Sequence, residues 1–217
     1  MKIVTVLRSG GEYLPQHVKA IQRQVQKYAP WADFQCLSDV YLPDVDVIQM
    51  RHLWPGWWAK MELFGPHVKG DILYTDLDTV FVGSLDDILQ VKDLTLLRDF
   101  YRDGVKLKAG LGSSLMCLPE EKRARIWERF SENPQMHMRV HRSGGDQRFL
   151  ETMMDIDGPC WQDRCPGQVV SYKVHCAEHL LGKGFVFRSI PVTARVVCFH
   201  GQPRPFAVPE FKDLYQW

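Results

Sequence analysis

Residues 72–83 read ILYTDLDTVFVG. The stretch opens on an apolar run, meets Asp76-Leu77-Asp78, and resumes as Thr79-Val80-Phe81-Val82. A short apolar run bounded by polar residues reads as a buried strand. Side chains alternate along extended backbone, so residues 76 and 78 project to the same side. Two carboxylates there offer the hard oxygens that Mg²⁺ or Mn²⁺ takes. Ligands of open α/β sheets also collect beyond the carboxyl ends of strands. Taken alone, the D-x-D tripeptide is common by chance and reads first as two solvated loop acids. The apolar run ahead of it favours the ligand reading, because acids clustered at the end of a buried strand need neutralising.

Working outward, KIVTVL (Lys2–Leu7) is a second apolar, β-branched run, closed by Arg8-Ser9-Gly10-Gly11. Leu14, Val18, Ile21, Val25 and Tyr28 then recur at helical steps, with Pro30 just past the end. DFQCLSD predicts another strand, so the chain opens as a βαβ unit. WPGWW (Trp54–Trp58) leads into AKMELF, a short helical stretch. LTLLRDF and SSLMCL are further apolar runs. PEEKRARIWERF (Pro119–Phe130) starts with Pro and two acids, good helix-start chemistry, and carries Ile126, Trp127 and Phe130 on one side. GDQRFLETMM reads as helical. From Asp155 to Gly184 the pattern weakens, and ARVVCF (Ala194–Phe199) is the last strong strand. These elements predict one α/β domain over residues 1–217, with a mixed sheet and an irregular C-terminal third.

Composition narrows the function classes. The 217 residues carry 27 Lys+Arg against 26 Asp+Glu, a net charge of +1. This near-balance argues against a polybasic nucleic-acid surface. A hydrophobic share of 45% with 24% charged residues is that of a globular chain rather than a disordered one. No apolar run reaches the ~18 residues of a spanning helix. The N-terminus has too short an apolar stretch for a signal peptide, so the expected location is cytoplasmic. The six scattered cysteines then read as reduced thiols.

A second constellation is CFHGQPRPF, residues 198–206. A histidine at a strand end can give a nitrogen to a metal. Gly201 lets backbone approach a ligand, and the flanking prolines hold Arg204, whose guanidinium can grip a diphosphate bidentately. The plainer reading is a core-edge histidine followed by a rigid exit loop.

Together, DLDTV after an apolar strand, WAKMELF upstream and FHGQPRPF near the C-terminus resemble the nucleotide-sugar-dependent glycosyltransferases of the GT-A fold. The likeness is greatest to glycogenin and the bacterial retaining galactosyltransferases. It runs in order over roughly residues 1–206, and it implies a Rossmann-like α/β single domain whose central mixed, mostly parallel sheet is flanked by helices. The resemblance implies that Leu7, Arg8 and Tyr13, in the first strand and loop, meet the nucleoside. It implies Lys60 near the donor, and Asp76, Asp78 and His200 on a Mn²⁺ (or Mg²⁺) ion. Asp146 and Gln147 correspond to a D-Q pair at the reaction centre, and Gly201 and Arg204 to a loop closing on the diphosphate. The implied donor is a nucleoside-diphosphate sugar, of UDP type, with a glycan, lipid or protein acceptor and a retaining outcome. The chain departs from the pattern at Arg204 (usually Lys), Phe206 (usually Trp) and Gly112 (usually Asn).

Two rivals share some of these residues. DLDTVF fits the nucleophile motif of a haloacid-dehalogenase-type phosphatase, with Ser113 or Ser114 next and GDQRFLE as the acidic motif. In that fold the nucleophile strand opens the domain, whereas about seventy residues precede it here, and FHGQPRP would have no role. The other rival binds a nucleotide sugar or glycan without catalysis. Of the remaining features, WPGWW offers either a sugar-stacking platform or core, with core preferred for at least one of its tryptophans. Cys160, Cys165, His175, Cys176 and His179 have spacing long for a zinc knuckle and read as structurally ordinary.

Overall fold

Strand β1 (Lys2–Leu7) feeds helix α1 (Pro15–Tyr28), and the chain returns as β2 (Phe34–Ser38), parallel to β1. This is the expected βαβ opening. Helix α1 buries Val18, Ile21 and Val25 and ends just before Pro30. The computed structural model describes residues 1–101, 110–154 and 158–215; residues 102–109 and 155–157, inside the span of the resemblance, lie outside the described residues. Next come β3 (Asp46–Gln49), β4 (Ile72–Thr75), β5 (Thr79–Phe81), the short helix α2 (Asp86–Gln90), β6 (Thr95–Arg98) and β7 (Leu111–Leu118). Helices α3 (Glu120–Glu132), α4 (Pro134–Val140), α5 (Gly145–Met153) and α6 (Trp161–Arg164) follow. The chain finishes through β8 (Val169–Ser171), β9 (Ala177–Leu180), β10 (Gly184–Phe187), β11 (Val196–Cys198) and α7 (Pro209–Lys212).

The main sheet has the order β3-β2-β1-β4-β7-β6. Its first four strands are mutually parallel, and β7 runs antiparallel to both β4 and β6. The sheet is therefore mixed and mostly parallel, as expected. Sheet order reverses between β1 and β4: β2 and β3 build outward on one side of β1, and the chain then crosses to the other. A crevice opens at the carboxyl ends of strands at such a switch point.

The structure adds two smaller sheets: β5-β11-β8, which joins β5 to two strands of the C-terminal third, and the hairpin β9–β10, inside that third, which the sequence leaves irregular. One apolar cluster joins Ile3, Leu7 and Leu73 of the main sheet to Phe81, Val169 and Val196 of the second. All six cysteines are free and buried. Among the described residues no helix is long and apolar enough to cross a membrane.

Candidate active site

The strand β4 runs out into Asp76, and Asp78 leads into β5, so the two acids sit on the bend between the two sheets. The bend is pinned: the Asp76 N–H donates to the Ser114 carbonyl at 2.9 Å, and the Phe199 N–H donates to the Asp78 carbonyl at 3.1 Å. The second bond brings the exit of β11, and hence the 200–206 loop, beside the acids. Together these elements wall a cleft of about 620 Å³ at the carboxyl ends of β1 and β4. Arg8, Tyr13, Lys60, Asp76, Asp78 and Arg204 all line it.

Charge organises this cleft. Lys60 comes from a 3-10 segment, Gly56–Phe64, whose Gly56 and Trp57 also line the cleft. Its Nζ lies 3.0 Å from Asp76 Oδ1 and 3.4 Å from Asp146 Oδ2, and donates to Ser113 Oγ at 3.2 Å. Burial alone would push the ammonium pKa down, but Asp146 and Asp76 outweigh it and hold Lys60 above its ordinary value. Asp146, buried near the start of α5, also accepts from Ser113 Oγ at 2.8 Å. Burial raises its pKa against the pull of Lys60. Its carboxylate thus stands behind Lys60 rather than on the cleft wall. Gln147 is half-buried beside it.

Asp78 is buried to 6% exposure. It accepts from the Tyr13 hydroxyl at 2.9 Å and pairs with the Arg204 guanidinium. Burial, then the negative charge of Asp76, lifts its pKa to about 7 despite Arg204 and Tyr13. Arg204 also makes two 2.8 Å bonds to Glu12 and lies over the Tyr13 ring. It therefore ties the first loop to the last across the mouth of the cleft.

Other site residues predicted from sequence fall differently. The Arg8 guanidinium lines the cleft but pairs with Asp39, which also accepts from the Ser9 N–H at 2.8 Å. The Leu7 side chain is in the core, leaving only its backbone near the crevice. Gly201 has φ +68°, a value that favours glycine, and its α-carbon faces Lys173. His200 is not grouped with the acids: its Nε2 is 2.8 Å from Ser171 Oγ and its ring stacks on Phe100. Burial, with help from Lys173, lowers its pKa to about 4, so the ring is neutral near pH 7. Gly112 packs beside Leu97 of β6, so the family's asparagine position faces a strand. The next residue, Ser113, is the one turned toward Lys60 and Asp146.

Two residues missed in the sequence support this site. Asp39 fixes the first loop. Glu62, fully buried, accepts backbone N–H bonds from Arg51, His52 and Leu53 at 2.6, 2.9 and 3.1 Å. The signal was present: Glu62 stands between apolar Met61 and Leu63-Phe64, and an acid in such a place is buried only with donors around it. Of the Trp-rich loop, Trp54 and Trp58 are core, while Trp57 is 55% exposed and lines the cleft.

For a metal, Asp76 and Asp78 fit: they are hard oxygen donors held close enough for one to raise the other's pKa. Among the described residues, no three His, Cys, Asp or Glu side chains are arranged to hold a metal ion. The fit therefore rests on the two carboxylates, without His200.

The galactosyltransferase LgtC, solved in complex with donor and acceptor sugar analogues, matches 99% of this chain and 95% of its own at a TM-score of 0.65 and 12% identity. The chain has the GT-A fold. The glycosyltransferase GlyE of Streptococcus pneumoniae TIGR4 matches at TM-score 0.66 and 12% identity, over all of this chain and 60% of GlyE. The bifunctional glycosyltransferase WbbM matches at 0.58 and 11%, over 99% of this chain and 51% of WbbM. The chain therefore spans about half to three fifths of these two longer proteins. No family model and no curated protein sequence matches it. The GT-A fold removes the haloacid-dehalogenase reading, since β1, β2 and β3 all precede the acid-bearing strand.

Proposed function

We propose that this chain transfers a hexosyl group from a nucleoside-diphosphate sugar, of UDP type, to a glycan, lipid or protein acceptor. The observation that carries the reading is the convergence of Asp76 and Asp78 with Lys60 and Arg204 at the sheet's switch point. Two carboxylates flanked by two cations suit a diphosphate that arrives with a divalent cation. Asp76 and Asp78 would hold Mn²⁺ or Mg²⁺, which when bound supplies positive charge against the leaving diphosphate.

The chain's own residues supply the rest. Lys60, kept charged by Asp146 and Asp76, faces the developing negative charge on the leaving oxygen. Arg204 adds a second cation from the opposite wall. Asp146 positions Lys60 through their ion pair and through Ser113, while Gln147 follows it on α5 near the reaction centre. Arg8 and Tyr13 border the nucleoside end. The retaining outcome comes from the family likeness.

The Arg204–Asp78 pair favours a second reading, nucleotide-sugar binding without transfer, because it engages a carboxylate a metal needs. One experiment separates the two. Thermal midpoints are measured with UDP, UDP-glucose and UDP-galactose, with and without Mn²⁺, and sugar release is followed over hours. A Mn²⁺-dependent shift with slow hydrolysis supports transfer; a shift without turnover supports binding alone; no shift with any of the three defeats both.

A further inference from the structure

The Trp-rich loop is not absorbed by the charge chemistry, yet it is firmly held in the cleft wall. Its entry is fixed by Glu62, whose carboxylate gathers three consecutive backbone N–H groups. Leu53 is held at φ +54° and Gly56 at +55°. Trp54 and Trp58 are anchored in the core against Phe130. Trp57, between them, is turned outward into the cleft and stays 55% exposed.

Its indole edge lies directly over the Gly145 α-carbon. A Cβ built there would come within 2.1 Å of Trp57 Nε1 and 2.3 Å of Cδ1, and Gly145 also has φ +59°. Glycine is thus required at 145 by backbone and by indole alike. Gly145 immediately precedes Asp146, and Trp57 stands three residues before Lys60. The ring is consequently tied to the Lys60–Asp146 end of the cleft, rather than to the Arg8–Ser9 end. An exposed indole held on a rigid loop at that place offers a flat apolar surface beside polar groups. That is the combination a sugar ring recognises, with apolar C–H faces and hydroxyl edges.

We propose that Trp57, braced by Gly145, is the platform on which a pyranose ring stacks at the reacting end of the cleft. The pyranose is the donor's or the acceptor's. The assignment rests on the glycosyl-transfer reading, and its test separates the two.

Wild type, Trp57→Ala and Trp57→Phe are titrated with UDP, UDP-glucose and UDP-galactose in Mn²⁺. Saturation-transfer NMR is then run with methyl glucoside and methyl galactoside. The alanine variant is expected to bind UDP within twofold of wild type. It should lose about threefold to tenfold on a sugar-bearing probe, as for one lost aromatic contact, and phenylalanine should restore most of the loss. A loss on UDP-glucose or UDP-galactose places the donor sugar on the ring. A loss confined to saturation transfer to the free pyranosides places the acceptor there. Equal weakening of UDP and UDP-sugars overturns the proposal, because the ring then serves the base. Unchanged binding of every sugar probe overturns it too. If wild type binds no nucleotide, the glycosyl-transfer reading fails by itself, and the platform is still judged by Trp57-dependent saturation transfer to the pyranosides.

Discussion

Asp78 concentrates the chemistry of the site in one side chain. Its carboxyl, ordinarily titrating near 3.8, is raised to about 7 by burial and by Asp76. The folded state therefore holds a proton that the unfolded chain has lost between pH 4 and 7. Stability contributed here falls as pH rises through that window and stays low above it. Asp78→Asn mimics the neutral form, so its melting temperature should match wild type near pH 4 and exceed it increasingly up to pH 7. The same variant should lose any Mn²⁺-dependent shift with UDP. A variant that melts lower at pH 8 than at pH 4, relative to wild type, would contradict this. Glu62 is a buried carboxyl to which three backbone N–H groups donate. Glu62→Ala should cost roughly 3 kcal/mol, since it strands those N–H groups, and urea unfolding measures it. Asp76, Asp78 and Arg204 were legible in sequence from a strand end and a proline-held loop, and Lys60 and Tyr13 only through the family resemblance; all five line one cleft. Sequence could not show that Asp146 stands behind Lys60, or that His200 turns to Ser171, because both depend on packing between segments far apart in the chain.

At the scale of elements, the site is two loops drawn together over two strand ends. Arg204 bonds Glu12 on the first loop and Asp78 on the bend, so it fastens the assembly as well as charging it. If its charge assists departure of the nucleotide, Arg204→Ala should lose about 3 kcal/mol of transition-state stabilisation, mostly in kcat. Arg204→Lys should keep a useful fraction, having the charge without the fork. A merely structural Arg204 gives a lower melting temperature with normal turnover per folded molecule, and measuring kcat and Tm for both variants decides it. The elements legible in sequence are those with a clear apolar run or a periodic apolar face: β1, α1, β2, β4, β6, β7, α3, α5 and β11. The strands β3, β9 and β10 are four residues each and at most half-buried, so their pattern is faint. They exist because a partner strand offers its edge, which is a tertiary cause and leaves little mark on the local sequence. β8 is buried but only three residues long.

At the scale of the whole molecule, the question is whether the main sheet and the β5-β11-β8 sheet unfold together. Their apolar faces meet in one cluster, in which Leu73 of β4 and Val196 of β11 belong to the same core. The bend at Asp76–Asp78 joins them covalently, and the Phe199–Asp78 bond ties them again. Losing either sheet would expose the apolar face of the other at about 25 cal/mol for each Å², so partial unfolding is disfavoured. The expectation is one cooperative transition, with far-UV circular dichroism and tryptophan fluorescence coinciding in urea. A ligand at the bend then stabilises all of it at once. UDP with Mn²⁺ at a hundredfold excess over Kd adds about 2.7 kcal/mol. For a chain of this length that is roughly 5–10 °C in Tm, carried by both probes equally. If the two probes separate, or if UDP shifts only one of them, the sheets are independent units and the cleft between them is not a single preformed site.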